Sequence, residues 1–392
     1  MSEGFLFRRR ALARSIADKA LGLDPLEGNS GLFLAAPRRT GKSTFIKVDL
    51  EPELRKRGVL TVYVDLWADR AREPGELISD SIKAAIGSLD SGIVKLARRA
   101  GMSKVGVGTW LAVDIEKIGK PGGVTLADAI GHLIERNGRP VVLIVDEAQH
   151  AVTTEAGSRA MFALKSARDT LNIGAKTSDV ANVRLGLVFT GSHRDKLGSL
   201  VSERAQPFFG ASITNFPLLG REFTDAYTGF INKRLASDRH LDPDDVFTVF
   251  LLVASRPEFL QAAIKDYSIG TLGEAMSPRS LQECVMIARD RYWASFDAAW
   301  QEMTDLQKAV LRRVVEKEEG FRPFDGEALA AYSADVKQTI TTPDVQSALE
   351  ALRNNGFIVR LERGRYTLED PSVSEWLTER CYPPKSNSRR SK

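Results

Sequence analysis

The stretch APRRTGKST, residues 36–44, follows the apolar run GLFLAA at 31–36 and leads into a helical pattern of apolar residues. A loop that binds phosphate needs glycine so that backbone N–H groups can face the anion. It also needs a lysine to neutralise the charge and a hydroxyl to bind Mg²⁺. Gly41, Lys42 and Ser43 supply these groups in order. Because the run at 31–36 is too short for a helix, we interpret it as a buried strand that precedes a phosphate-binding loop and a helix.

One position departs from the phosphate-loop pattern G-x-x-x-x-G-K-[ST]. Ala36 stands where this pattern has its first glycine. The alternative interpretation is an exposed basic turn at Arg38 and Arg39 that caps a helix, but the strand–loop–helix context favours a nucleotide-binding loop. The predicted contacts to the nucleotide come from Ala36, Pro37, Arg38, Arg39, Thr40, Gly41, Lys42, Ser43 and Thr44.

A second stretch, VVLIVDEAQH at 141–150, joins five apolar residues to two carboxylates. Carboxylates that are buried without partners are costly, whereas the carboxyl end of a strand in an open α/β sheet is where ligands bind. We therefore predict that Asp146 holds the Mg²⁺ shell and that Glu147 polarises the attacking water. The alternative is a solvent-exposed strand end that begins a turn.

Apolar runs and helical patterns alternate up to Leu218, which predicts a doubly wound parallel α/β sheet. The predicted strands lie at 31–36, 59–66, 140–147, 183–190 and 211–216. The predicted helices lie at about 41–58, 73–100, 125–138, 155–171 and 193–205, and a hairpin-like insertion is predicted at 103–120. Thr125, with Asp128 three residues later, forms a capping pattern for the helix that ends at Gly138.

After Leu218 the strands give way to helical patterns. Helices are predicted at 222–237, 243–254, 257–267 and 278–300, and then at 304–316, 325–334 and 343–354. Two short β-like runs at 357–361 and 365–368 follow, joined by a turn at Arg363-Gly364. Three helices before a hairpin are typical of a winged helix.

Composition and charge limit the class of protein. The 392 residues are 43% hydrophobic and 27% charged, as in globular proteins, and no apolar run nears the roughly 20 residues of a membrane span. Two cysteines cannot form a disulfide framework, the four histidines lack metal-ligand spacing, and the N-terminus does not read as a secretory signal. We therefore predict a cytoplasmic protein without a zinc site.

The net charge of +4 comes from the last eight residues, KSNSRRSK, which hold four of the 55 basic residues and no acid. Without them, 51 basic residues balance 51 acidic ones. A neutral body argues against a wholly electrostatic nucleic-acid binder.

The two motifs and the C-terminal pattern together resemble the AAA+/STAND-related P-loop ATPases of the archaeal-type ATPase class, whose relatives include replication-initiator and transposition-helper ATPases. The resemblance covers most of the chain and is most specific in the Walker A and Walker B motifs. It implies a sheet in the order 5-1-4-3-2, a helical lid, and ATP at their junction, with Mg²⁺. The implied domains are a P-loop ATPase domain at 1–218, a helical lid at 219–300, a winged helix at 301–380 and a basic flexible tail at 381–392.

The resemblance also implies roles for residues outside the two motifs. The stretch LGLVFTGSH at 185–193 looks like the strand that ends in a sensor-1 residue. Thr190 or Ser192 would then contact the γ-phosphate or the water; the alternative is a strand-end hydroxyl without such a role. Arg204 is similar in placement to an arginine finger that a neighbouring subunit delivers. Arg194 is the other candidate for this role. The alternative is that Arg204 is a surface arginine without such a role.

Two further positions match the family on local context. Arg256, where a lid helix would begin, looks like a sensor-2 arginine; Arg279 is the alternative, and either can instead form a helix-end ion pair. Phe7 and Arg8, in FLFRRRAL, resemble the segment that covers the adenine in this class. The competing interpretation is a basic cluster at the start of a helix.

The predicted recognition helix, TTPDVQSALEALRNNGF at 341–357, has a mixed character. Asp344 and Glu350 accompany a single basic residue, Arg353, whereas a helix that reads DNA presents arginine, lysine, asparagine or glutamine to base edges. Further residues suited to DNA are Gln346, Asn354 and Asn355 on the helix and Arg360, Arg363 and Arg365 on the wing. DNA binding and a protein-docking or autoinhibitory role both stay open.

The predicted function is an ATP-binding and ATP-hydrolysing switch that changes its assembly or partner with nucleotide state, as a homo-oligomer without membrane association. The rivals are a DNA-binding initiator or transposition helper and a nucleotide-binding signalling scaffold with little turnover. A small-molecule kinase is a weaker rival, because the lid and winged helix would serve it no purpose. Intact Glu147 favours hydrolysis over the scaffold, and the basic wing and tail favour the DNA-binding rival.

Overall fold

The computed structural model describes residues 5–26, 30–37, 39–69, 71–99, 123–175, 180–192, 194–202, 204–235, 237, 240–269, 280–317, 320–362, 364–370 and 372–381. The predicted insertion at 103–120, Arg38, Arg279, Arg363 and residues 382–392 of the predicted tail lie outside the described residues. Among the described helices, none is long and apolar enough to cross a membrane.

The chain forms two compact units. The sheet unit comprises Arg8–Ala36 and Lys42–Pro217, and the helical unit comprises Met1–Phe7, Pro37–Gly41 and Leu218–Lys392. The predicted lid and winged helix therefore both belong to the helical unit.

A five-stranded parallel sheet forms the centre of the sheet unit. Its strands are β1 Leu32–Ala35, β2 Leu60–Asp65, β3 Val141–Asp146, β4 Leu185–Gly191 and β5 Ile213–Asn215. They lie in the order β2-β3-β4-β1-β5, and all four pairings are parallel. This confirms the predicted order 5-1-4-3-2.

Helices cover both faces of this sheet. Successive residues of β3 enter different cores: Leu143 and Val145 belong to one buried cluster, and Val142 and Ile144 belong to the other. This is why the strand is apolar from Val141 to Val145 instead of alternating with polar residues. The helices of the sheet unit are α1 Arg10–Ala20, α2 Lys42–Phe45, α3 Glu51–Lys56, α4 Pro74–Arg99, α5 Leu126–Asn137, α6 Glu155–Asn172 and α7 Arg194–Gly198.

Local signals account for both boundaries of α5. Thr125 caps α5 by accepting a hydrogen bond from the backbone N–H of Asp128, and Gly138 ends that helix in the left-handed conformation, as predicted. The predicted helix at 193–205 is wrong in its length. It ends at Gly198, and turn hydrogen bonds such as that from the N–H of Val201 to the carbonyl of Gly198 replace it.

The described part of the helical unit contains eight α-helices, one π-helical turn at Leu377–Cys381 and one hairpin. The helices are α8 Arg221–Asn232, α9 Pro243–Leu252, α10 Pro257–Ile269, α11 Leu281–Glu302, α12 Asp305–Lys317, α13 Gly326–Val336, α14 Thr342–Asn354 and α15 Ser372–Trp376. The strands β6 Ile358–Glu362 and β7 Arg365–Leu368 pair antiparallel. Helices α12 to α14 and this hairpin pack around one buried cluster that includes Trp293, Tyr332 and Trp376.

Candidate active site

The carboxylate of Asp146 stands at the carboxyl end of the central strand β3 and is almost completely buried, with 2% of its surface exposed. The hydroxyl of Ser43 donates to its Oδ2 at 2.8 Å and the hydroxyl of Tyr63 donates to the same atom at 3.0 Å. Thr190 donates to Oδ1, and the ammonium of Lys42 lies 3.0 Å from that oxygen. The parallel sheet brings these groups together because strands β2, β3 and β4 end at the same edge.

Glu147 follows Asp146 and has a left-handed backbone conformation, with φ of 55°. Its Oε1 lies 3.1 Å from the ammonium of Lys42. Its Oε2 accepts a hydrogen bond from the hydroxyl of Ser192 at 2.7 Å and another from the amide of Gln149. Both oxygens of this carboxylate are therefore held in place.

The electrostatics of the site depend on Lys42. Burial alone raises the pKa of Asp146, but attraction to Lys42 and hydrogen bonds from Thr190, Lys42 and Ser43 bring it below its ordinary value. Burial likewise raises the pKa of Glu147, and Lys42, Ser192 and Gln149 together lower it. Both carboxylates are thus charged at neutral pH, and two negative charges face one positive charge. The cluster therefore suits an additional cation.

The donor set fits Mg²⁺ and a phosphate. Ser43 and Asp146 are within hydrogen-bond distance of each other and offer a hydroxyl and a carboxylate oxygen, which are the ligands that Mg²⁺ prefers. Lys42 begins helix α2, so its backbone lies at a helix N-terminus that attracts anions. These residues could hold Mg²⁺ and the phosphates of a nucleotide.

The loop before Lys42 explains the departure at Ala36. Ala36 is buried and its N–H donates to the carbonyl of Gly191 at 3.1 Å, which continues the pairing of β1 with β4. Its φ is not positive, so no glycine is needed there, whereas Gly41 has a φ of 85° that favours glycine. Within the helical unit, the hydroxyl of Thr40 donates to the carbonyl of Pro37 at 2.8 Å.

The other predicted site residues have contacts of their own. Arg204 is exposed, whereas Arg194 donates to the side chain of Asn215. Arg8 donates to the carbonyl of Val48 and lies 3.6 Å from Asp49. In the helical unit, Phe7 lies edge-on to Phe223 with 5.7 Å between ring centroids.

Arg256 is buried in the helical unit, with 4% of its surface exposed. Its guanidinium forms an ion pair of 2.5 Å with Asp370 and stacks 4.1 Å above the ring of Tyr292. This is an ion pair near the start of α10, which the sequence allowed as the alternative to a sensor-2 contact.

Sequence analysis did not predict two contacts of the site. Tyr63, on β2, binds Asp146, and burial followed by the charge of Asp146 raises the pKa of its hydroxyl. Gln149 binds Glu147. The only local signal for either residue was its position in the sequence: Tyr63 lies within the predicted strand 59–66, and Gln149 lies two residues after Glu147.

Comparison with known proteins identifies relatives by structure. No protein-family model matches the sequence, and no curated protein is similar enough to it to count as a match. The solved structure of the Walker-type ATPase PABY2304 of Pyrococcus abyssi matches with a TM-score of 0.59 and 17% identity, over 95% of this chain and 96% of that chain.

The ORC2 protein of Aeropyrum pernix is also similar. Its ADP form matches with a TM-score of 0.54 and 14% identity, over 96% of this chain and 94% of that one. Its ADPNP-ADP complexes match with a TM-score of 0.52 and 13% identity, over 97% of this chain and 96% of that chain. At these identities the likeness establishes the fold, and the chain has the α/β P-loop fold of these archaeal proteins.

Proposed function

We propose that the chain is an ATP-binding and ATP-hydrolysing switch whose nucleotide state controls its assembly or its binding to a partner. One observation carries this proposal: Lys42 lies between Asp146 and Glu147, at 3.0 and 3.1 Å, while Ser43 is bonded to Asp146. The nucleotides named for the ORC2 structures, which share the fold, support a nucleotide as the ligand.

Each of these residues has a role in the proposed reaction. Ser43 and Asp146 hold Mg²⁺, and the ammonium of Lys42 binds the β- and γ-phosphates. When bound, Mg²⁺ neutralises charge on the phosphate oxygens. Glu147 accepts a proton from the attacking water at one carboxylate oxygen.

Lys42 also links nucleotide binding to Glu147. A phosphate group competes with the two carboxylates for the ammonium, since charge-assisted hydrogen bonds to phosphate are strong. Movement of Lys42 toward the phosphate releases Oε1 of Glu147, which then faces water. Nucleotide binding and activation of the base are coupled through this one side chain, and this coupling is the basis of the switch.

The remaining roles are proposed from the resemblance. Thr190 and Ser192 are the candidates for the sensor-1 contact, and their bonds to Asp146 and Glu147 support either. Exposed Arg204 suits an arginine finger delivered to a neighbouring subunit, and this role requires a homo-oligomer. The sensor-2 role of Arg256 and the adenine contacts of Phe7 and Arg8 are proposed on the resemblance alone.

Replacing Glu147 with glutamine tests the proposed function. The amide keeps the size of the side chain but cannot accept the proton, so kcat for ATP hydrolysis should fall about 10²- to 10⁴-fold while ATP still binds. Phosphate release measures turnover, and calorimetry measures affinity. A matched control is Glu155→Gln, an exposed residue at the start of α6, which should keep the parental rate. If Glu147→Gln hydrolysed ATP at the parental rate, the catalytic role of Glu147 would be refuted. If the parent itself did not hydrolyse ATP, the nucleotide-binding signalling scaffold would be favoured.

DNA binding through the C-terminal hairpin is a second candidate function. Arg360 on β6 and Arg365 on β7 are both exposed, on a hairpin that follows three helices, and this arrangement supports the proposed winged helix. Replacing both arginines with serine should weaken duplex binding and lower the slope of log affinity against log salt by about 1.8, at about 0.9 per lost phosphate contact. Fluorescence anisotropy over a salt series measures this slope, with Arg159→Ser as the control. An unchanged slope would favour a protein-docking module.

A further inference from the structure

Gln149 is a buried amide that touches the proposed base, and neither predicted motif assigns it a role. It lies in the 3₁₀ turn Ala148–Thr153 that follows β3, and only 1% of its surface is exposed. Its Nε2 donates to Oε2 of Glu147 and, at 3.1 Å, to the hydroxyl of Ser192. The amide therefore bridges the carboxylate and the end of β4.

The orientation of this amide is set by its two donors. Its Oε1 is buried and has no hydrogen-bond partner among the described residues, which costs free energy. The opposite orientation would place the carbonyl oxygen against the carboxylate of Glu147, where two oxygens with negative charge repel. Both N–H groups of Gln149 are thus used to hold Glu147 and Ser192.

Gly191 makes the space that this arrangement needs. A Cβ atom at that position would lie 2.6 Å from Oε1 of Gln149, closer than real Cβ contacts allow. The φ of Gly191 is not positive, so its backbone does not require glycine. The amide is the nearest neighbour that a side chain at this position would meet, and the next is Leu197 at 3.4 Å.

We propose that Gln149 is a positioning residue for Glu147, whose Oε2 it holds together with Ser192 so that Oε1 is directed to the attacking water. This inference rests on the proposed function, because it assumes that Glu147 is the base. A general base acts efficiently when a third group fixes its orientation. Removing such a group slows the chemical step and leaves substrate binding intact.

The test uses two variants of the full-length chain. Gln149→Met keeps the length of the side chain but removes both donors, and Gly191→Ala pushes the amide aside with a single methyl group. We expect kcat to fall about 10- to 100-fold in Gln149→Met, by analogy with the loss for groups that orient the ligands of a metal ion. A smaller loss is expected in Gly191→Ala, because the amide is the far end of a flexible side chain. The affinity for ATP should stay within about twofold of the parent in both variants.

The matched control is Gly87→Ala on α4, where an added methyl group meets no atom within 4 Å and the parental rate is expected. Thermal unfolding checks that the variants are folded. Parental kcat in folded Gln149→Met would overturn the positioning role while leaving the proposed ATPase intact. Equal losses of kcat and ATP affinity would also overturn it, because they indicate general damage to the site. A parent that binds ATP without turnover would remove the proposed function and this inference with it.

Discussion

Lys42→Ala should lower the affinity for ATP by about 100-fold or more. Hydrogen bonds to charged groups contribute about 1.5–3 kcal/mol each, and Lys42 is expected to make two with the phosphates. Titration calorimetry with ATP and Mg²⁺ measures the loss. The matched control is Lys165→Ala, a lysine on α6 whose ion pair with Asp169 is partly exposed, and it should bind ATP as the parent does. ATP affinity that is unchanged in Lys42→Ala would place the nucleotide elsewhere.

The same variant should also be less stable without nucleotide. Removal of Lys42 leaves the carboxylates of Asp146 and Glu147 beside each other without their cation. Breaking a buried pair costs about 3–5 kcal/mol, and we expect about 3 kcal/mol at neutral pH because Ser43, Tyr63 and Thr190 still donate to Asp146. Urea unfolding measures this difference.

The pH dependence of that loss follows from the pKa values. In the parent, the pKa values of Asp146 and Glu147 lie below their ordinary values. Their stabilisation is therefore present above the ordinary carboxyl pKa near 4 and is lost as the pH falls through the lower folded values. The difference in stability between parent and Lys42→Ala should thus be largest near neutrality and shrink below about pH 4. A difference that grows in acid would contradict the charged pair.

Much of the fold and the centre of the site could be predicted because their signals are local. Five apolar residues before Asp146 indicate a strand covered on both faces, and Gly41, Lys42 and Ser43 indicate a loop at a helix start. A parallel sheet then brings both motifs to one edge. The sheet order itself came from the resemblance, and the structure confirms it.

The contacts that sequence analysis missed join residues far apart in the chain. Tyr63 and Asp146 are 83 positions apart, and Arg256 and Asp370 are 114 apart. Neither pair has a local pattern, since a tyrosine in a strand and an arginine before a helix each have many possible partners. The early end of α7 is a similar case. The N–H of buried Phe208 donates a hydrogen bond to the carbonyl of Leu200 in the segment after α7, and helical periodicity does not indicate this contact.

The ion pair of Arg256 and Asp370 is the second feature whose loss should have a large effect. Asp370 is 8% exposed, and Tyr292 donates to the same oxygen that accepts from Arg256. Ala254 and Ser255, directly before the arginine, have φ values of 52° and 54°. Two successive residues in this conformation are strained.

Asp370→Ala should lower the free energy of unfolding by about 3–5 kcal/mol, because it leaves the guanidinium of Arg256 buried without its carboxylate. Burial raises the pKa of Asp370, but Arg256, Tyr292 and Ser372 hold it below its ordinary value. The stabilisation is therefore lost as the pH falls below about 4, where the difference from the parent should shrink. Glu327→Ala, which removes the exposed partner of Arg313, is the control and should leave the free energy of unfolding nearly unchanged, because water screens an exposed ion pair.

A double-mutant cycle separates the ion pair from simple loss of packing. Arg256→Met combined with Asp370→Leu removes both charges and keeps most of the buried volume, and such replacements of buried pairs are often neutral or stabilising. The double variant should therefore be more stable than Asp370→Ala or Asp370→Leu alone, with a coupling free energy of about 2 kcal/mol or more. Urea unfolding of the parent, Arg256→Met, Asp370→Leu and the double variant, at neutral pH and without nucleotide, gives this value. Additive effects would mean that the two side chains stabilise the helical unit independently, without a favourable interaction between their charges.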